Sequence, residues 1–290
     1  MKKVYLDEKL KKYIVPTELR NNSKSQGKIF TPGTRLPLGE AKFIRLFTAW
    51  STISGEAGNI DIDLASGFIK DIDGKLEMTP IAYFNESESY AVHSGDYTSC
   101  REYKQGHTEI TAEFIDIEIE KAIADGFQYI ITADFIFSGA EDYNDVKTYS
   151  GVQLLSNLRT EKTGYININD YLFKMELHGE FQSHVALAVD LITKEIVIID
   201  QYSKESKGIN IDSMGYKLEE YKKLYFNASD YKENMYDFLI MYCEANEIQV
   251  IDNIDSADII FSYDDYKDIK ENQELFNISN NLEKILDLLN

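Results

Sequence analysis

Cysteine is nearly absent from this 290-residue chain: Cys100 and Cys243 are the only two. Two isolated thiols make neither a disulfide framework nor a paired-cysteine metal site. Positive charge is also short. Thirty Lys and Arg stand against 50 Asp and Glu, for a formal net charge of −20. Such a surface repels phosphate backbones, so no nucleic-acid partner is expected; it attracts cations, divalent ones most. No apolar run approaches the roughly 18 residues that would cross a bilayer, so no membrane span is expected. The opening MKKVYLDEKLKKYIV is basic but lacks the apolar core of a secretory signal, and the default expectation is a cytoplasmic protein. G-x-S-x-G, the phosphate-binding loop, G-x-G-x-x-G and H-E-x-x-H are all missing, which points away from an enzyme of those classes.

What the chain does have is a large apolar fraction, 43%, with 20 Tyr and 15 Phe. That is enough to bury a full core in one large or two modest domains. Residues 1–35 read as an N-terminal extension, because LRNNSKSQGKIFTPGTRLPLGE is rich in turn-forming residues. Short strand-like runs follow: 41–50, 58–69, 80–85, 113–119, 127–137, 171–177, 184–192 and 195–202. Many short strands at this spacing predict a mainly β fold, an antiparallel β-sandwich over residues 36–205. The stretches 119–126 and 143–157 read as helical interruptions. Residues 206–290 carry 18 acidic and 8 basic side chains and read as an acidic α/β C-terminal appendix. It contains an amphipathic helix over 229–247, capped by Ser229, and a closing helix in NNLEKILDLLN.

The chemistry concentrates in acidic pairs at strand ends. Asp61 and Asp63, in NIDIDL, are two apart in a strand and project from one face. Side by side they repel, and a shared hard cation would turn that repulsion into attraction. A lone D-x-D is more often a solvated polar face; here it is joined by YAVHSGDYTSC, whose Gly95–Asp96 is turn chemistry, and by GHTEITAEFIDIEI. DIDGK (71–75) is not an EF-hand: Ile69 stands where an acidic ligand is needed, and Pro80 where the bidentate Glu would fall. His93, Cys100 and His107 are evenly spaced over fifteen residues but match no tetrahedral zinc pattern.

The series IRLFTAW, IDIDLASGFIKDIDGK, IAYFN, AVHSGDYTS and AEFIDIEI resembles the TerD family of tellurite-resistance and general-stress proteins, in a divergent branch. The likeness runs over roughly residues 30–205. It implies a β-sandwich that binds calcium through acidic loops at one end, with Ca²⁺ as cofactor. Asp61 and Asp63 match the family's D-x-D pair, and Asp96 matches its H-S-G-D aspartate. The family's G-D-D-E loop corresponds to GHTEITAE, where Gly106 fits but His107 and Thr108 replace two aspartates. The glutamate of that loop is then Glu109 or, on the match to AEFIDI, Glu113. The function implied is a calcium-binding stress-response or signalling interaction module, engaging other proteins through the sandwich or the appendix. The alternatives are a TerD-like scaffold without metal binding and a metal-dependent hydrolase.

Overall fold

The computed structural model describes residues 2–15, 30–85, 87–102, 109–158, 164–204, 220–228, 232–263, 266, 269–278 and 285. In chain order the strands are β1 (Lys3–Leu6), β2 (Arg35–Pro37), β3 (Phe43–Thr52), β4 (Asp61–Ile72), β5 (Lys75–Ile81), β6 (Ala91–His93), β7 (Glu109–Glu118), β8 (Tyr129–Ser138), β9 (Val146–Leu155), β10 (Tyr165–Asn167), β11 (Phe173–Leu177), β12 (Ser183–Asp190), β13 (Glu195–Ser203), β14 (Gln249–Val250), β15 (Ile259–Ser262) and β16 (Glu274–Asn277). Helices α1 (Ile119–Ala124) and α2 (Met235–Ala245) interrupt them. The protein is mainly β. It divides into two compact units, one spanning Leu36–Lys223 and the other combining the N-terminal segment with residues from Leu224 onward.

The Leu36–Lys223 unit holds two antiparallel sheets. One runs β10-β7-β3-β9-β11 with β6 also on β7; the other runs β2-β13-β12-β8-β4-β5. Apolar side chains from both sheets meet in one cluster: Trp50 from β3 and Val146 from β9 pack with Ile62 from β4 and Ile136 from β8. The Trp50 Nε1–H donates to the Ile60 carbonyl at 2.8 Å, so the buried indole is satisfied. Elsewhere Phe68, Tyr90 and Phe127 pack ring on ring, with centroids 4.8–5.5 Å apart.

Alternation of apolar residues and acids in β7 suggests that the acids face water. They do not. A second apolar cluster covers the other face of the β3–β7–β9 sheet, built from Phe47, Phe114 and Tyr149 with Ile166 and Ile168 of the following segment. Asp116 is therefore buried, and it is neutralised by a two-pronged pair with Arg45 at 2.6 and 2.8 Å. The Arg45 guanidinium also lies 3.6 Å from the centre of the Phe114 ring, a placement the ring's negative face favours.

Three sequence expectations need correction. The run 143–157 is not helical: Val146–Leu155 is β9, held between β3 and β11. Pairing on both edges satisfies its backbone, and this overrides the weak local helical pattern. In 80–85 the strand ends at Ile81, and Ala82–Asn85 closes a turn. Nor is the N-terminal segment a mere extension. β1 pairs in parallel with both β14 and β15, in a sheet of order β14-β1-β15-β16. VYL supplies the apolar centre of that sheet, with Val4 and Leu6 buried.

Helix α2 belongs to the same unit. Its cap is Asn234, whose side chain accepts from the Asp237 N–H at 3.0 Å. Met235, Leu239 and Cys243, four apart, form its buried stripe. The expected cap Ser229 and most of the closing helix lie outside the described residues.

Candidate cation site

The site is built on an incomplete strand edge. β4 pairs with β8 from Asp61 through Ile69, but with β5 only from Ser66 onward, where Ser66 faces Ile81. Residues 61–65 therefore have a strand on one side only. The segment 93–100 runs along the other side. It starts at His93 beside Leu64 and ends at Cys100, whose backbone exchanges two hydrogen bonds with Gly58 at 2.8 and 3.0 Å.

Two side chains take the place of the missing strand. The Leu64 N–H donates to Glu113 Oε2 at 2.8 Å, and the Leu64 carbonyl lies 3.1 Å from His93 Nε2. The Gly95 N–H donates to His93 Nδ1 at 3.1 Å, so the imidazole proton resides on Nε2 and is donated to Leu64. Ser94 locks the same segment to β7: its N–H donates to the Phe114 carbonyl at 2.8 Å, and its Oγ accepts from the Phe114 N–H at 3.0 Å. Gly95 then turns with φ +103°, a region that glycine enters without steric cost.

That turn delivers Asp96 to the β4 edge. Asp61, Asp63 and Asp96 each offer an oxygen, and the three oxygens lie within 4.8 Å of one another. Asp61 and Asp63 are buried and Asp96 is exposed. Opposite Asp61 the β4–β8 register slips, and Phe137 is the extra residue; such a bulge re-aims neighbouring side chains. Among the described residues, Asp61 Oδ1 is buried and accepts no hydrogen bond. Burial pushes the Asp61 carboxyl up to about 6, helped by the charge of Asp96. Burial also pushes Asp63 up to about 7, with Asp61 and Asp96 adding to it. Asp61 and Asp63 so placed beside Asp96 oppose their own ionisation, and one divalent cation would reverse that.

The two candidate glutamates part company. Glu113 is fully buried behind the cluster. Besides Leu64, it accepts from the Tyr97 N–H, Oε1 to N 3.1 Å. Burial pushes its carboxyl up to about 9, against the opposing pull of those two N–H donors. Glu109 is exposed at the start of β7, opposite Asn167 of β10, and outside the cluster of three. Four residues of strand separate it from Glu113, roughly 13 Å at strand rise, too far to share an ion held at the β4 edge. Of the zinc alternative, His93 has both ring nitrogens engaged and Cys100 is buried among apolar side chains. His107, with Gly106 and Thr108, lies outside the described residues.

A further polar cluster escaped the sequence reading. His184 on β12 is completely buried between Asp134 on β8, at 3.6 Å, and Asp200 on β13, at 3.2 Å. Burial alone would lower the imidazole, but the two carboxylates outweigh it and raise it to about 9. The Tyr143 hydroxyl donates to Asp134 Oδ1 at 2.6 Å. Asp200 reaches the histidine from a β-bulge at φ +49°. The signal was an acid inside an apolar run, Asp134 in YIITADFIF, since such an acid needs a buried partner.

No family model matches the chain, and no curated protein matches it significantly. Among the described residues, no helix is long and apolar enough to cross a membrane.

Proposed function

We propose that Asp61, Asp63 and Asp96 form a calcium site, and that the protein is a calcium-binding interaction module with a TerD-like β-sandwich, serving in stress response or signalling rather than catalysis. The observation that carries the cation reading is the buried Asp61 carboxylate, whose Oδ1 accepts no hydrogen bond among the described residues and which offers an oxygen within 4.8 Å of one from each of two more carboxylates. Carboxylate oxygens are hard donors that suit Ca²⁺, whereas Mg²⁺ gives up its water reluctantly and Zn²⁺ prefers nitrogen and sulfur. The acidic D-x-D-L and H-S-G-D segments, which resemble those of the TerD family, meet at this edge. The test is calorimetric titration of the chelator-stripped full chain with Ca²⁺, Mg²⁺ and Zn²⁺. One Ca²⁺ per chain is expected, lost in Asp61→Asn. An Asp61→Asn protein that bound calcium like the parent would refute the site.

A further inference from the structure

The carboxylates come from two stretches of chain far apart in sequence, Asp61 and Asp63 from β4 and Asp96 from the segment after β6. Something must hold those stretches at a fixed separation, because three like charges drive them apart. Two side chains touch both: His93, which itself belongs to the second stretch, bonds Leu64 and Gly95, and Glu113 reaches them from outside either stretch. Glu113 Oε2 accepts from the N–H of Leu64, the residue after Asp63, and Glu113 Oε1 accepts from the N–H of Tyr97, the residue after Asp96. Glu113 itself stands on β7, fully buried, in a strand paired along its length with β3. Its two oxygens are thus a rigid fork fixed to one sheet, with a ligand-bearing segment on each prong.

We propose that Glu113 is the positioning residue of the cation site. It sets the distance between the Asp61–Asp63 pair and Asp96 by clamping the amides next to Asp63 and Asp96, and is not itself a ligand. This rests on the cation reading above. The chemistry requires a carboxylate of glutamate length. An amide would leave one carbonyl oxygen for two N–H donors and turn an NH₂ group toward the other. Aspartate would keep the carboxyl group but fall one methylene short of reaching both. Groups that orient metal ligands through hydrogen bonds typically contribute about 10- to 100-fold to affinity.

Calcium titrations of the full-length parent, Glu113→Gln, Glu113→Asp and Asp61→Asn test this, each at a temperature where that variant is fully folded. Both Glu113 variants are expected to weaken calcium by about 10- to 100-fold. Glu113→Asp separates reach from the carboxyl group itself: if it binds like the parent, the reach of the fork is not needed and the clamp is wrong. If either variant melts earlier but keeps parental affinity, Glu113 is merely structural and the clamp is wrong. If Asp61→Asn loses calcium while both Glu113 variants keep it, the cation site stands and only the clamp falls. If the parent binds no calcium, both fall. A measurement on the parent covers the case in which the variants do not fold. Hydrogen exchange at the Leu64 and Tyr97 amides should slow together on adding Ca²⁺, by about tenfold or more, because coupling between two linked events is reciprocal. Exchange at either amide unaffected by bound calcium would overturn the proposal.

Discussion

At the scale of single residues, Asp61 and Asp63 combine burial with mutual repulsion, and this makes a prediction about pH. In the folded metal-free protein their carboxyls titrate near 6 and 7, above the value of 3.8 for a free aspartate. Between about pH 4 and 7 the folded state therefore holds protons that the unfolded state has released. Stability from this pair is fully present below the unfolded value and is lost as pH rises through the folded values. In chelator, the melting temperature should fall from pH 5 to pH 8, and Asp63→Asn should flatten that fall. Saturating calcium should remove the share of the fall due to this pair, since the ion needs the ionised form; Glu113 and His184, both also raised, add a fall of the same sign that calcium leaves. The check is melting of parent and Asp63→Asn across that range, with and without Ca²⁺. A parent profile as flat as that of the mutant would show that the carboxyls are not opposed in the way their burial implies.

At the scale of elements, the important fact is that β5 stops at Ile81 while β4 continues toward Asp61. The edge left open is completed by His93, Glu113 and the turn at Gly95. Gly95 has a positive φ, and a methyl group there would meet no heavy atom within 4 Å. Gly95→Ala should therefore cost only the backbone term, about 1–2 kcal/mol, read as a shift in denaturant midpoint. A cost near zero would mean the turn is not held in that conformation. The presence of strands such as β3, β4, β8, β12 and β13 could be read from runs of apolar and β-branched residues, though β4 opens and closes three residues later than its run suggests. So could the meeting of Asp61 and Asp63 on one face. The role of Glu113 could not. A glutamate in AEFIDI reads as a water-facing acid, yet Glu113 shares the face of β7 that carries Ile115 and Ile117 and reaches Leu64 of the other sheet. The strand identity of 143–157 was hidden for a related reason: the pairing partners of β9 lie more than ninety residues before it in β3 and about twenty after it in β11, and no local window contains them.

At the scale of the whole molecule, the parallel sheet joins chain segments that the sequence keeps about 240 residues apart, with β1 between β14 and β15. Val4 is buried at the centre of that sheet and pairs with Val250 on one side and Ile259 on the other. Val4→Asp would place an unpaired carboxylate there, at a cost of several kcal/mol. Hydrogen exchange should then show the amides of β14, β15 and β16 losing protection, while those of β3, β4 and β8 keep theirs. Equal protection in mutant and parent would mean that β1 does not hold the sheet together.

The central position of β1 also sets a timetable for synthesis. β1 leaves the ribosome before its neighbours β14 and β15, which follow only after about 240 further residues have been translated. At roughly 5–20 residues per second, the nascent strand must wait about 12–50 s with two bare hydrogen-bonding edges and the apolar side chains of VYL exposed. Both antiparallel sheets are made within that interval, so they can close before the partners of β1 arrive. The charges Lys2 before the strand, Lys3 at its first position, and Asp7 and Glu8 after it stand where gatekeeper residues would discourage that waiting strand from pairing with another copy of itself.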